Sequence, residues 1–295
     1  MNKKHILCIF VALIVITNSS YAFPKPMGRR AKMVPISKTI DIPPEERISS
    51  HRTEFFADDV NNFGAIGRLN FKKASDGTTD YCTATVIQTD NGNMALTAAH
   101  CLWDILSNEP EKWNSEFYFY PGYNNGKGFG SVRAYTLTIW KDFTIDETLY
   151  DYGFIKFYYD DGSKLQDDVG AFDVEFDLPG GDFPVTVFGY PVSGEMPNCP
   201  NDGEHICSWQ GNSFGFVDSN LPNHEWHRGI PIDVGAGSSG GPWIRDYDPN
   251  TNTGVINGIS HGLLPPPYPS QDTTTWKWQN DDFSALLKAA EDYNP

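Results

Sequence analysis

From about Val60 onward, apolar and polar positions alternate in short runs and do not recur with a helical period. The runs include AIGRLNF (65–71), CTATVIQ (82–88), EFYFY (116–120), VRAYTLTIW (132–140), YGFIKFYY (152–159), FPVTVFGY (183–190), NSFGFV (212–217), GPWIRDY (241–247) and GVINGIS (254–260). They are rich in β-branched and aromatic residues and are punctuated by Gly, Pro, Asn and Asp, the pattern of antiparallel strands joined by turns. An all-β body, sandwich or barrel, is predicted, and a parallel α/β plan is disfavoured. One stretch has the helical period. In DDFSALLKAAEDY, Phe283, Leu286, Leu287 and Ala290 fall at i, i+3, i+4 and i+7, with Asp281 or Asp282 available as N-cap. A helix over about 281–293 is expected to dock its apolar face on the β body.

Upstream of Val60 the pattern changes. Residues 1–22 read as a secretory signal, with Lys3 and Lys4 as the basic start, Ile6 to Ile16 as the apolar run and Ser20-Tyr21-Ala22 as the cleavage site. The run is too short to span a bilayer core of roughly 30 Å as a helix, and no other segment approaches that length, so membrane embedding is not expected. Residues 23–59, with FPKPMGRR and DIPPEER, show no sustained periodicity and read as a prosegment or extended arm. Arg30, Arg47 and Arg52 there are candidate processing points, although basic residues in a linker are more often simply solvated.

Composition narrows the function classes. With 295 residues, 39% hydrophobic and 20% charged, the chain can bury a sizeable core. Its formal charge of −16 becomes −18 once the two lysines of the signal are removed (−16 minus 2). A surface this acidic repels phosphate backbones and anionic lipid, which argues against nucleic acid and membrane partners. Cys8 lies in the signal, which leaves Cys82, Cys101, Cys199 and Cys207. An even count in an exported chain points to two disulfides, and proximity favours Cys82 with Cys101 and Cys199 with Cys207. No CxxC pair exists, and neither a metal nor a cofactor is expected.

Three stretches carry candidate chemistry. ALTAAHCLW (95–103) places His100 after two alanines and before a cysteine. IDVGAGSSGGPW (232–243) sets Ser239 among glycines, which let the backbone turn tightly and aim N–H groups at one point, as an oxyanion requires. LYDYGFIKFYY (149–159) puts Asp151 at the entrance of a strand, where a buried carboxylate could accept an N–H from an imidazole and fix its tautomer. The last two have plainer readings, a bystander serine in a Gly-rich turn and a turn-forming aspartate.

Together, TAAHC, YDYGFIKF and GSSGGP, in the order His, Asp, Ser with intervals of 51 (151 minus 100) and 88 (239 minus 151), resemble the trypsin-like, or chymotrypsin-fold, serine peptidases. The resemblance extends over roughly residues 60–290. It implies two antiparallel six-stranded β-barrels, at about 60–165 and 166–280, followed by the helix, with the site in the cleft between them. It implies His100, Asp151 and Ser239 as catalytic residues, an oxyanion hole from the N–H groups of Gly237 and Ser239, a Cys82–Cys101 bridge, and a protein or peptide substrate for an exported enzyme. Oligomeric state is left open. A G-x-S-x-G motif at 237–241 also matches α/β-hydrolases, but that fold needs a helix after the nucleophile, and here Pro242 and a strand-like WIRDY follow.

Some positions depart from the trypsin pattern. Ser238 stands where close trypsin relatives carry the aspartate that pairs with a new N-terminus, so activation by that ion pair is excluded. This, and the turn Gly189-Tyr190-Pro191, resemble the bacterial V8-type glutamyl endopeptidases. Asp233, six residues before Ser239, and Val234 are candidate pocket residues. A carboxylate there would select Arg or Lys, whereas Val234 lacks the hydroxyl that glutamyl-specific relatives use. Ser260 and His261 in GISHG complete the candidate pocket. In one register His261 reaches the pocket and Ser260 hydrogen-bonds Asp151; the neighbouring register is equally open. The loop Asp246 to Gly254 reads as a hairpin turn ahead of a calcium loop, and His205, His224 and His227 have no metal-ligand spacing. The rival function is a catalytically silent homologue that binds peptides in the same cleft.

Overall fold

The computed structural model describes residues 33–42, 63–145, 150–159, 161–176, 182–217, 226–263, 273–276 and 280–294, all in one compact unit, Lys32–Pro295. The expected signal segment, Arg30, Arg47, Arg52 and His224 lie outside the described residues.

The first sheet contains β1 (Pro35–Thr39), β2 (Ile66–Lys72), β3 (Thr79–Val86), β4 (Met94–Thr97), β5 (Ser115–Pro121), β6 (Val132–Trp140) and β7 (Gly153–Phe157). Its order is β1-β6-β5-β2-β3-β4-β7, and β6 also pairs with β7, which closes six strands into a barrel. Alternation in the sequence becomes alternation of faces. Leu69 and Phe71 of β2 and Phe117 and Phe119 of β5 turn inward and are buried, while Arg68, Asn70 and Tyr118 between them are not. β4 and β7 are buried along their whole length, as befits strands covered on both faces. Part of the segment assigned to an arm is thus strand. Pro35–Thr39 pairs with β6 as an edge, where a proline lacking its N–H is tolerated.

The second sheet has β8 (Asp173–Val174), β9 (Phe183–Gly189), β10 (Cys207–Val217), β11 (Trp226–Ile230), β12 (Pro242–Asp248), β13 (Thr253–Ile259), β14 (Gly262–Leu263) and β15 (Thr273–Trp276). Its order is β14-β15-β11-β10-β9-β12-β13-β8. A closed six-stranded barrel is the expectation, and six long strands are present, but among the described residues no ladder joins β13 to β15. These two strands meet instead through a side chain, the Ile259 N–H donating to Thr275 Oγ1 at 2.8 Å. β12 and β13 form a hairpin whose turn is held by Asp248 accepting from the Asn250 N–H at 2.9 Å, which accounts for the acidic loop without an ion.

Two short helices, α1 (Ala99–Leu102) and α2 (Leu165–Val169), precede the long α3 (Asn280–Asp292). α3 starts one residue earlier than expected, so Asp281 and Asp282 occupy its first turn and complement the helix dipole instead of capping it. Phe283, Leu286 and Ala290 are buried. Phe283 stacks on Tyr152 with ring centroids 5.5 Å apart, meets Phe154 edge-on at 5.1 Å and packs on Phe176, just past β8, at 5.1 Å. The other end of α3 is tied down by Lys156 of β7, whose Nζ donates to Glu291 O at 2.7 Å, Tyr293 O at 3.1 Å and Asn294 Oδ1 at 2.9 Å. Burial pushes this ammonium below the usual lysine value, against the pull of Glu291 and Asp292. Lys156→Met is expected to cost about 2 kcal/mol, the worth of hydrogen bonds from a charged donor to helix-terminal carbonyls. Urea unfolding measures the loss, and faster amide exchange confined to α3 locates it.

Candidate active site

β4 and β7 bring the first two candidate residues to one end of the barrel. Their ladder pairs Thr97 with Gly153, so His100, three residues past Thr97, and Asp151, two residues before Gly153, leave the sheet side by side. The alanines of TAAHC are fully buried and let α1 press onto the barrel, while His100 stays half-exposed. Asp151 is 1% exposed and sits in a tight turn, with Tyr152 N–H donating to Tyr150 O at 2.6 Å and Tyr150 at φ +56°, a left-handed value costly for a bulky side chain.

The Asp151 carboxylate grips the histidine at two points. Oδ1 accepts the His100 backbone N–H at 2.8 Å, and Oδ2 lies 2.7 Å from the ring Nδ1. A third group converges on Oδ2, the Nδ1 of His261, from the turn between β13 and β14. Burial alone would raise the Asp151 carboxyl, but the His100 and His261 imidazoles beside it prevail and hold it well below the ordinary carboxylate range. Both rings therefore carry hydrogen on Nδ1 when neutral, and His100 keeps Nε2 as a proton acceptor.

Of the two candidates in GISHG it is His261, not Ser260, that reaches the carboxylate, and His261 lines the pocket as well. The Ser260 hydroxyl accepts the Trp243 indole N–H at 3.1 Å and is buried at the lining of the cavity beside Ser239.

The Ser239 loop lies between β11 and β12 and is locked against the histidine turn. The Thr83 N–H donates to Ser239 O at 2.8 Å, and the Thr83 hydroxyl donates to Gly237 O at 3.0 Å. Thr97 closes the circuit by donating its hydroxyl to Thr83 O at 2.8 Å. Gly240, at φ +77°, allows the approach, because a Cβ there would collide with Thr97 Oγ1, Thr83 O and the Ala98 N. The Cys82–Cys101 disulfide joins the strand holding Ser239 to the turn holding His100; its 19-residue separation corresponds to about 3 kcal/mol of chain-entropy stabilisation. The second disulfide, Cys199–Cys207, spans the loop after Tyr190. Thr83 is a hub that sequence reasoning missed. Its partners stand 14 to 156 positions away, and a threonine beside a cysteine carries no local signal of them.

Backbone N–H groups in this loop divide into two sets. Those of Gly235, Ala236, Ser238, Gly240 and Gly241 are taken by Asp233, Ser193, Gly235 O, Ser260 O and Ser238 O. Among the described residues, no acceptor takes the N–H of Gly237 or of Ser239. Two donors left over on either side of one residue are suited to an oxyanion. Ser238 is buried and donates its hydroxyl to Val234 O at 2.8 Å, which holds the loop without the ion pair of trypsin relatives. Gly189 of the GYP turn packs directly on Ser238, and Tyr190 O approaches Gly237. Among the described residues the Ser239 hydroxyl has no hydrogen-bond partner, so its contact with His100 Nε2 is not formed in this resting arrangement.

Ser239 and His261 line a cavity of about 320 Å³ together with Asp233, Val234, Ser193 and Thr273. Thr273 is committed, accepting the Val234 N–H at 3.0 Å and donating to Ile232 O at 2.8 Å. Among the described residues Asp233 is the one carboxylate of the lining, and no lysine or arginine accompanies it.

Two groups offer ligand atoms for a cation. Cys82 and Cys101 with His100 form the first, but both sulfurs are spent in the disulfide. His100, Asp151 and His261 form the second. A tetrahedral zinc ion would hold such atoms about 3.3 Å apart, wider than the hydrogen bonds present, so hydrogen bonding accounts for the geometry. His205 is paired with Asp202 at 2.8 Å, and Trp103 meets Trp113 edge-on at 5.3 Å. Trp243 is fully buried in the second core. The side chains of His227 and Trp276, and all of Trp278, lie outside the described residues.

No family model and no curated protein matches the chain. Solved structures do match. A thermostable serine protease from an extremophilic microorganism superposes with a TM-score of 0.63 at 22% identity, covering 79% of this chain and 100% of that one. The protease Anisep from Arthrobacter nicotinovorans gives 0.62 at 25% identity, covering 78% and 97%. A Glu endopeptidase gives 0.57 at 17% identity, covering 83% and 96%. The architecture, a closed six-stranded barrel, a second sheet and a C-terminal helix, is that of chymotrypsin-fold serine proteases.

Proposed function

We propose that the chain is an exported serine endopeptidase that hydrolyses peptide bonds through an acyl-enzyme. The observation that carries this reading is the two-point grip of buried Asp151 on His100, set against a loop in which the N–H groups of Gly237 and Ser239 have no acceptor among the described residues. Substrate brings the Ser239 hydroxyl and His100 Nε2 together, since such contacts are often loose before binding. The hydroxyl passes its proton to Nε2 as its oxygen bonds the scissile carbonyl carbon, and the carbonyl oxygen, now negative, takes the two N–H donors. The carbon–nitrogen bond breaks as the imidazolium returns the proton to the leaving amine. Water repeats the sequence on the ester, restoring Ser239 and releasing the acid. Asp151 fixes the tautomer and stabilises the imidazolium throughout.

Two disulfides fit an oxidising compartment. A fluorophosphonate should label Ser239 stoichiometrically. Unlabelled protein that still captures peptides would establish the silent binding homologue instead.

The pocket supports a preference for lysine or arginine before the cut bond. Asp233 lines it without a compensating cation, and His261 is engaged by Asp151. Asp233→Asn is expected to lower kcat/KM on such substrates about a hundredfold, the effect of removing one partner of a buried charge pair. Cleavage of a mixed-sequence peptide library, with the new termini sequenced, measures both preference and loss.

A further inference from the structure

The carboxylate that serves the general base also serves a second imidazole. We propose that His261 is a positioning residue that shares Asp151 Oδ2 with His100 and, once protonated, competes with the base for it. The inference rests on the peptidase reading and concerns regulation of the same site. Asp151 is buried, and its acceptor capacity is met by three donors: the His100 backbone N–H, the His100 ring and the His261 ring. The hydroxyl of neighbouring Ser260 accepts from Trp243 and makes no bond to the carboxylate among the described residues. Removal of His261 therefore leaves Oδ2 with a single donor, the His100 ring, and takes away one of the three hydrogen bonds that fix the plane of the carboxylate against it.

His261 is also reachable by protons. Its side chain is 24% exposed against 28% for His100, and the two ring centroids lie 6.5 Å apart with the carboxylate between their Nδ1 atoms. The titratable groups around His261 among the described residues are Asp151 and His100 from the β4 and β7 ends and Asp233 across the cavity; β14 and β15 bring Leu263 and Thr273, which do not titrate. A neutral His261 donates one hydrogen bond and leaves the negative charge for the imidazolium that forms on His100 during catalysis. A charged His261 consumes that charge and repels the second cation. Activity then falls with two protons and not one.

His261→Phe, which fills the space without a donor, is expected to lower kcat about 10- to 100-fold. His261→Asn keeps an N–H near the position of Nδ1 without titrating, and should recover most of that loss. The acid limb of log kcat/KM should be steeper than one proton in the wild type and return to one proton in His261→Asn. A merely structural role moves neither slope. A Phe variant with wild-type kcat, or an Asn variant whose acid limb superimposes on the wild type, overturns the proposal while the wild type remains labelled by fluorophosphonate. Wild type that takes no label overturns the peptidase reading and the positioning role together. NMR of isotope-labelled histidine is independent of activity: hydrogen on His261 Nδ1 at neutral pH supports the shared carboxylate, and hydrogen on Nε2 instead overturns it.

Discussion

Ser239→Ala is expected to lower kcat on a peptide substrate about a millionfold, with folding stability close to the wild type. The two effects separate because the residue's backbone and side chain have different duties. Its carbonyl is held by the Thr83 N–H, and the flanking N–H groups of Ser238, Gly240 and Gly241 are all bonded within the loop or to Ser260. None of these contacts uses the hydroxyl. The hydroxyl has no partner among the described residues, so truncation strands no buried group, and surface changes of this kind are ordinarily within about 0.5 kcal/mol. Residual turnover about a thousandfold above the uncatalysed rate should persist from substrate binding and the oxyanion donors. Single-turnover kinetics on a library-derived peptide, beside urea unfolding, decides the matter. An alanine variant that cleaves at the wild-type rate would remove the nucleophile from Ser239, and a large loss of stability would mean the hydroxyl holds the loop.

What was legible in the sequence was whatever a strand or a turn expresses locally. Leu69, Phe117 and Phe119 alternate with polar neighbours and face the first core, and Phe283, Leu286 and Ala290 recur at helical spacing and are buried on it. His100, Asp151 and Ser239 were legible because each sits in a short stretch whose composition is unusual: small residues before the histidine, a strand entrance, a glycine turn. The contacts between those stretches were not. Thr83 holds Ser239, Gly237, Tyr190 and Thr97 through one backbone unit and one hydroxyl, yet a lone threonine in a strand reads as β-propensity and nothing more. The register of Ser260 and His261 turned on a one-residue shift, which in a strand exchanges the faces on which two side chains lie. The carboxylate takes His261, while the Ser260 hydroxyl accepts from Trp243, a residue that reads in sequence only as core. A ladder is expected to close the second barrel, and the part that was not legible is that Thr275 joins β13 with a hydroxyl instead.

Asp151→Asn should lower kcat about ten-thousandfold. The carboxylate accepts three hydrogen bonds and donates none. An asparagine of the same shape offers one oxygen and one NH₂, and the NH₂ cannot face an Nδ1 that bears hydrogen. If its oxygen keeps the His100 backbone N–H, the amide turns to the rings, and His100 must move its hydrogen to Nε2, where it can no longer accept the serine proton. If the oxygen keeps the rings, the amide meets the His100 backbone N–H and the turn loses its anchor. Either arrangement also removes the negative charge that stabilises the imidazolium. The pH dependence of stability carries a separate signature. A carboxyl held below its ordinary value contributes stability that is present above about pH 4 and is lost as pH falls through its lowered folded-state value. The asparagine variant lacks that contribution, so its stability should vary less with pH in the acid range, a comparison made by urea unfolding at successive pH values. An Asn variant retaining more than about a tenth of wild-type kcat would mean that the tautomer is fixed by another group and that Asp151 is not the orienting carboxylate.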